Sequence, residues 1–353
     1  MFFQTLMRHT FAILLILLCA FSLPAAERKW DPMPYAIANN AVAMAKVDKQ
    51  LFLFTFMGVG EKKDWKAVTN RVFAMNTETG KWNEYRPVPG PAGRLGASAV
   101  LVKDVVYLLG GYTVDAAGTN SVRSVEVMLP SKGIWYRGQD MPIPLDEFVA
   151  GEYKDRFVYT VGGWSGTDAV KTVQMYDSER NTWTQATPIP GPPVFGHAGG
   201  IVDDTIIYID GARKNPEGTS PAYVTSDECW MGKIDHHDPA KIAWTKIANH
   251  PGSARYRIAA GPSDRDNRIY FTGGSEQLHK FDGTYEGKLA QPSPVTFAWN
   301  LKSNKWEVVS EHTPNPTMDN RGLLVTSQGL VRLGGITSDG KVTSAVNVSS
   351  RSK

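Results

Sequence analysis

Glu147-Phe-Val-Ala-Gly-Glu-Tyr153, Arg156-Phe-Val-Tyr-Thr-Val161, Lys171-Thr-Val-Gln-Met-Tyr176 and Trp183-Thr-Gln185 are four short runs within residues 147–188. Gly162-Gly163 ends the second, and Asp177-Ser-Glu-Arg-Asn-Thr182 separates the third from the fourth. Short β-rich runs bounded by glycine, asparagine and aspartate clusters read as a meander of hairpins. Four strands of this size make one small sheet with two apolar faces. Such a sheet needs neighbours on both sides to bury them.

Those neighbours are present in the same chain. Trp183 has counterparts at Trp30, Trp82, Trp135, Trp244 and Trp306, at successive intervals of 52, 53, 48, 61 and 62 residues. A period near 50 residues marks a repeat architecture in which each unit contributes one sheet. Six units predict an all-β, six-bladed β-propeller, with its working surface on loops around a central channel. The ends predict how the ring closes. Residues 28–33, around Trp30, read as a fourth strand lacking the three before it. Leu323-Leu-Val-Thr326, Leu330-Val-Arg-Leu-Gly-Gly335 and Ser344-Ala-Val-Asn-Val348 read as three strands lacking a fourth. The N-terminal strand is expected to complete the C-terminal blade and so remove the open edges.

Paired glycines recur in phase at Gly110-Gly111, Gly162-Gly163, Gly273-Gly274 and Gly334-Gly335, with degenerate copies at Met57-Gly58 and Asp210-Gly211. Tyr107, Tyr159 and Tyr270 precede three of them, and Tyr176 stands seven residues before Trp183. This combination resembles the kelch repeat. The resemblance covers essentially all of residues 28–353 and implies a kelch-type propeller.

The first residues carry Arg8 and the apolar run Phe11-Ala-Ile-Leu-Leu-Ile-Leu-Leu-Cys-Ala-Phe21, then Ala25-Ala26 before the charged Glu27-Arg28-Lys29. That order reads as a secretory signal peptide over residues 1–26, with the propeller occupying residues 27–353. Eleven apolar residues are too few to cross a bilayer. The expected mature protein is therefore periplasmic or secreted, with no membrane attachment after cleavage. The net charge of +3 is no footprint for nucleic acid. Cys19 leaves with the leader, and Cys229 alone cannot form an intramolecular disulfide.

Residues leading into each innermost strand should encircle the channel mouth. Aligned on the glycine pairs, they are Asn39-Asn40, Arg94, Asp146-Glu147, Phe195 to His197, Arg255-Tyr256-Arg257 and Asp319-Asn320-Arg321. Polar groups converging in a concavity form the default binding site. Each also has a structural reading. Arg94 and Arg321 can pair with Asp146, Glu147 or Asp319 across blades, and His197, between Gly196 and Ala198, can be a satisfied inner-strand histidine rather than a proton carrier. His236 and His237 are adjacent, so on a strand they point to opposite faces, which argues against a shared metal. No metal or other cofactor is expected. The longer stretches at 213–222 and 275–294 are candidate binding loops. Tyr112, Trp164, Tyr223 and Tyr285 lie in loops after second strands, where they can stack on sugars or pack between blades.

The resemblance extends to sialic-acid mutarotases, which are exported six-bladed kelch propellers. It implies ring opening by general acid–base catalysis. On this reading Glu147 or His197 would exchange protons, with Arg94, Arg255 or Arg257, and Arg321 gripping the substrate carboxylate; Asn39 and Asp319 are the other candidate binding residues at the mouth. Kelch proteins also act as non-catalytic modules for glycans or proteins, and fold alone does not choose. Copper oxidases of this fold need a cysteine–tyrosine cross-link and two histidines, and Cys229 sits in a third strand. Sialidases need Ser-x-Asp-x-Gly-x-Thr-Trp turns, and residues 176–183 depart from that pattern. The leading expectation is an exported binding protein for an acidic sugar, or for a protein ligand, at the channel-mouth loops. The alternative is a sialic-acid mutarotase.

Overall fold

The structure, a computed structural model, describes residues 30–90 and 92–351. The expected leader, and residues 28 and 29 of the expected closing strand, lie outside the described residues. The strands form five four-stranded antiparallel sheets and one three-stranded sheet. Blade 1 is Ala41–Val47, Gln50–Val59, Val68–Asn76 and Trp82–Tyr85. Blade 2 is Ser98–Val102, Val105–Leu109, Val125–Leu129 and Ile134–Arg137. Blade 3 is Val149–Tyr153, Phe157–Val161, Val173–Asp177 and Thr182–Ala186, close to the runs read from the sequence. Blade 4 is Ala198–Val202, Thr205–Ile209, Cys229–Ile234 and Ile242–Ile247. Blade 5 is Ala259–Ser263, Arg268–Thr272, Thr296–Asn300 and Lys305–Ser310. Blade 6 is Leu324–Thr326, Gly329–Leu333 and Val346–Ser349. Among the described residues there is no α-helix, only one 3-10 turn at Trp65–Ala67.

The tryptophan period has a bonding reason as well as a packing one. Trp135 Nε1–H donates to Arg86 O (3.1 Å), Trp183 to Gln139 O (2.8 Å), Trp244 to Thr187 O (3.2 Å) and Trp306 to Ala248 O (2.6 Å). Each acceptor lies four residues beyond the preceding tryptophan of the series. One indole thus covers apolar area and ties its blade to the chain leaving the previous one, which needs a large ring with a donor at its edge.

The second glycine of each pair is sterically fixed. Gly163 has φ +103°, and a Cβ there would lie 2.7 Å from Asp146 O and from Phe148 Cβ. The worn copies change only the first position, where Met57 and Asp210 take φ of 55° and 61°.

The ring closes as an irregular segment rather than a full strand. Met33 N–H donates to Ser344 O (2.8 Å), Ile37 N–H to Thr343 O (3.2 Å) and Gly335 N–H to Ile37 O (2.8 Å). Blade 2 makes the same set with its own chain: Met141 to Arg123, Leu145 to Val122 and Gly111 to Leu145. Trp30, Met33 and Ile37 are buried with Leu324, Val331 and Leu333 of blade 6. The N-terminal segment therefore fills the outer place of the last blade. Among the described residues, 30–33 form no ladder with Val346–Ser349.

Between their second and third strands, blades 2 to 5 carry small hairpins: Tyr112–Asp115 with Gly118–Ser121, Trp164–Ser165 with Asp168–Ala169, Ala212–Lys214 with Tyr223–Thr225, and Thr284–Tyr285 with Lys288–Leu289. The two long stretches, 213–222 and 275–294, are built into the last two of these. All four share the face at which the innermost strands begin.

Candidate functional site

Just before each innermost strand, one residue per blade adopts the left-handed conformation: Asn39, Gly96, Glu147, Gly196, Arg257 and Asp319, with φ between 52° and 64°. Their backbones are linked around the axis. Asn39 N–H donates to Asp319 O (2.7 Å), Glu147 to Gly96 O (2.9 Å), Gly196 to Glu147 O (2.9 Å) and Arg257 to Gly196 O (2.8 Å). Asn39 Oδ1 accepts from Gly96 N–H (2.5 Å). The four side chains of this ring turn inward onto one another. The Arg257 guanidinium donates to Asp319 Oδ1 (2.9 Å) and to Glu147 Oε1, and Asn39 Nδ2 donates to Asp319 Oδ1 (2.7 Å). All four are buried. They form a polar plug across the channel. Burial alone would raise the Glu147 carboxyl, but the charges of Arg257 and Arg321 outweigh it and hold the group below its ordinary range. Burial likewise opposes the charge of Arg257, and Asp319 and Glu147 more than restore it.

Above the plug lies a cup of about 360 Å³. Its walls are Tyr112, Trp164, Tyr223 and Tyr285, the aromatics of the four hairpins, with Phe195 and Tyr256 between them. Trp164, Phe195 and Tyr223 meet edge to face, with centroids 5.1 to 5.8 Å apart. The floor is Asp146, Glu147 and Arg257, and Lys280 stands at the rim. Tyr256 Oη donates to Glu147 Oε2 (2.7 Å). Burial, then the neighbouring Glu147 charge, push Asp146 up to about 7, against the pull of its Ser121 hydrogen bond. Two adjacent carboxyls thus differ widely in proton affinity. His279 also lines the cup. Its Nδ1 lies 2.9 Å from Lys280 O, which can only accept, so Nδ1 carries the hydrogen. Nε2 is then an acceptor, buried and without a protein partner. Burial, then Arg257, lower its proton affinity and keep the ring neutral. Among the described residues no three His, Cys, Asp or Glu side chains are grouped to hold a metal ion.

The structure brings Glu147 and Arg257 to the cup, with Asn39 and Asp319 in the plug beside them and out of a ligand's reach. It corrects the placement of four other residues expected at the mouth. Arg94 turns into blade 2, where Glu126 and Ser124 bind its guanidinium. Arg255 donates to Val295 O (3.1 Å) and covers the Phe297 ring. Both stand two residues before the ring position, where the side chain points into the blade. His197 stands one residue after it and lines the channel beyond the plug. It donates through Nε2 to Val161 O (2.9 Å), and burial lowers its pKa to about 3, so it is no proton carrier near neutrality. Arg321 also lines the channel rather than the cup. Asp146 was among the mouth residues without an assigned role. Tyr256 was there too, between two arginines, and His279 carried no signal beyond lying in a long loop.

An aromatic-walled cup on the loop face of six sheets with paired glycines defines a kelch-type propeller with a ligand-sized recess. Residues 41–274 match the KLHDC2/KLHL20/DRC7 Kelch-repeats domain, 234 of 353 residues, and the chain belongs to the kelch-repeat family. It is 24% identical over 246 residues to Kelch-like protein 38 of Homo sapiens, a match covering 61% of this chain and 41% of that protein. It is 26% identical over 256 residues to Kelch-like protein terF of Aspergillus terreus, covering 67% of this chain and 54% of that one. The chain thus spans about half the length of these relatives or less. The solved structure of YjhT superposes with a TM-score of 0.70 at 17% identity, covering 90% of this chain and 95% of that one, a likeness of fold.

Proposed function

We propose that the cup binds a carbohydrate and that the protein is an exported kelch-propeller binding protein. The observation that carries this is the convergence of Tyr112, Trp164, Tyr223 and Tyr285 over a floor of two carboxyls and a guanidinium. Aromatic faces suit the C–H face of a sugar ring, and convergent polar groups fix its hydroxyls. The acidic-sugar version has less support. Arg94 and Arg255 are spent inside their blades, and both ends of Arg257 are occupied. Lys280 at the rim remains for a carboxylate. Calorimetry with neutral hexoses, glucuronic acid and sialic acid tests the reading. Trp164→Ala should weaken the bound sugar tenfold or more, on the order of a lost stacking contact. No heat from any sugar, with a peptide displacing a reporter from the cup instead, would move the site to protein ligands.

One observation favours a second reading, a mutarotase. Carboxyls with separated proton affinities are how acid and base roles are divided in one site, and Asp146 beside Glu147 is such a pair. On this reading Asp146 is the proton carrier. Faster anomer exchange of sialic acid by NMR, lost in Asp146→Asn with binding intact, would support it. Unchanged exchange with bound sugar leaves the binding function. Export is tested by the N-terminus of the protein recovered outside the cytoplasm, expected near residue 27.

A further inference from the structure

We propose that the central channel is a second binding site, taking an apolar-chain 2-hydroxy monocarboxylate with its carboxylate on Arg321 and its hydroxyl on His197. The channel beyond the plug is a separate cavity of about 580 Å³. Its walls are the innermost strands, and the residues lining it include Met44, Leu101, Ala150, Ile201, Ala260 and Val325. Five strand residues give the lumen a length of roughly 17 Å. The plug blocks one end, so the lumen is a blind tube with apolar stretches along its sides, and Lys46, Lys103, Asp104, Glu152 and Asp264 also line it.

At its closed end stand two polar side chains with unused bonding capacity. Arg321 makes no hydrogen bond or ion pair with any described residue, and its Nε is buried and unpartnered. Arg257 already serves both Glu147 and Asp319, so that trio carries one net negative charge, which Arg321 balances at a distance, and neither plug carboxylate hydrogen-bonds the Arg321 guanidinium. A carboxylate in direct bidentate contact is favoured over the more distant plug charges, because the interaction falls with separation. His197 is 3% exposed and gives its Nε2–H to Val161 O. Its Nδ1 is therefore an acceptor, buried in the same cavity without a partner. A buried acceptor left unmade is costly. A hydroxyl next to the carboxylate supplies the missing donor, and the tube takes the chain.

Calorimetry with 2-hydroxydecanoate, decanoate and 1-decanol tests the site in the whole protein. The expected order of affinity is hydroxy acid, then acid, then alcohol. Arg321→Met should weaken both acids about tenfold or more and leave the alcohol unchanged, as for a lost charge-assisted bond. Ala150→Met, which adds bulk at a lining residue and leaves Arg321 and His197 in place, should abolish binding of all three while the protein still melts in one cooperative transition. Equal affinity of acid and alcohol, binding that survives Ala150→Met, or no heat from any of the three would overturn the site. Equal affinity of the two acids would overturn the role of His197.

Discussion

Replacing Arg257 with methionine tests whether the plug is an electrostatic unit. The guanidinium is buried and bridges Glu147 and Asp319, themselves buried. Methionine keeps most of the volume and leaves two carboxylates facing each other in a water-poor site. Removing one partner of a buried ion pair costs about 3–5 kcal/mol. With an unfolding entropy of about 2.1 cal/mol/K per residue, the roughly 320 described residues convert that cost to a fall in Tm of about 4–7 °C. The loss should depend on pH. In the parent, Glu147 titrates below its ordinary value of 4.5, so its stabilising share is complete above that value and is lost as pH falls through the lower folded value. In the variant the carboxylates lack their cation, so burial raises them and they destabilise the fold where they are charged. Acid relieves that penalty as it erodes the parent's advantage. Calorimetric Tm values of both proteins at pH 7 and pH 4 should show a wide gap closing to a small one. A gap below 1 °C at pH 7, or one of equal size at both values, would mean that the backbone ring rather than the charges holds the axis.

Trp183→Phe keeps the aromatic packing and removes the bond to Gln139 O. It should cost about 1 kcal/mol and lower Tm by about 1–2 °C in a thermal melt. Deleting residues 30–37 removes buried Trp30, Met33 and Ile37 from blade 6. At about 1.5–3 kcal/mol per buried side chain the loss is roughly 5–9 kcal/mol, read as a shift in urea midpoint. Asp146, raised to about 7 from 3.8, stabilises the fold below pH 4 and loses that share as pH rises through 7. Asp146→Asn should therefore become more stable relative to the parent between pH 4 and 7, by on the order of 3 kcal/mol in urea titrations at the two values.

The repeat was legible because each of its marks answers one local requirement. The tryptophan needs area and an edge donor, and the second glycine needs φ near +100° where Asp146 O and Phe148 leave no room for a Cβ. Both requirements recur in every period, so each mark repeats in phase. Tyr112 and Trp164 were legible for the same reason, since each directly follows its glycine pair, whereas Tyr223 and Tyr285 stand far along long insertions, where Ala212 and Ser275 hold the equivalent positions. The arginines were not. Arg94, Arg255 and Arg257 lie within two residues of equivalent ring positions, and a shift of two residues carries a side chain from the axis into the blade. Spacing fixes the strand, but the left-handed residue that turns each side chain is glycine in two blades and asparagine, glutamate, arginine or aspartate in the others. No single residue type marks it.

The mouth is not used evenly, and the packing shows why the recess lies to one side. Ala38, Val59, Leu95, Met318, Ile336 and Val342, from blades 1, 2 and 6, form an apolar seal over part of the face with Ala290 of the long blade-5 insertion. Lys63, from blade 1, donates to Asp282 O (2.8 Å) of that insertion and to Gly340 O (2.7 Å) of blade 6. These contacts hold the insertion across the sealed sector. Its other side carries His279 and Tyr285, which therefore face Trp164 and Tyr223 across the open sector. Among the described residues, blades 1 and 6 have no hairpin of the kind seen in the other four. They anchor the insertion, and blades 2 to 5 supply the walls. A ring of six similar units thus acquires one chemically distinct recess without breaking its closure.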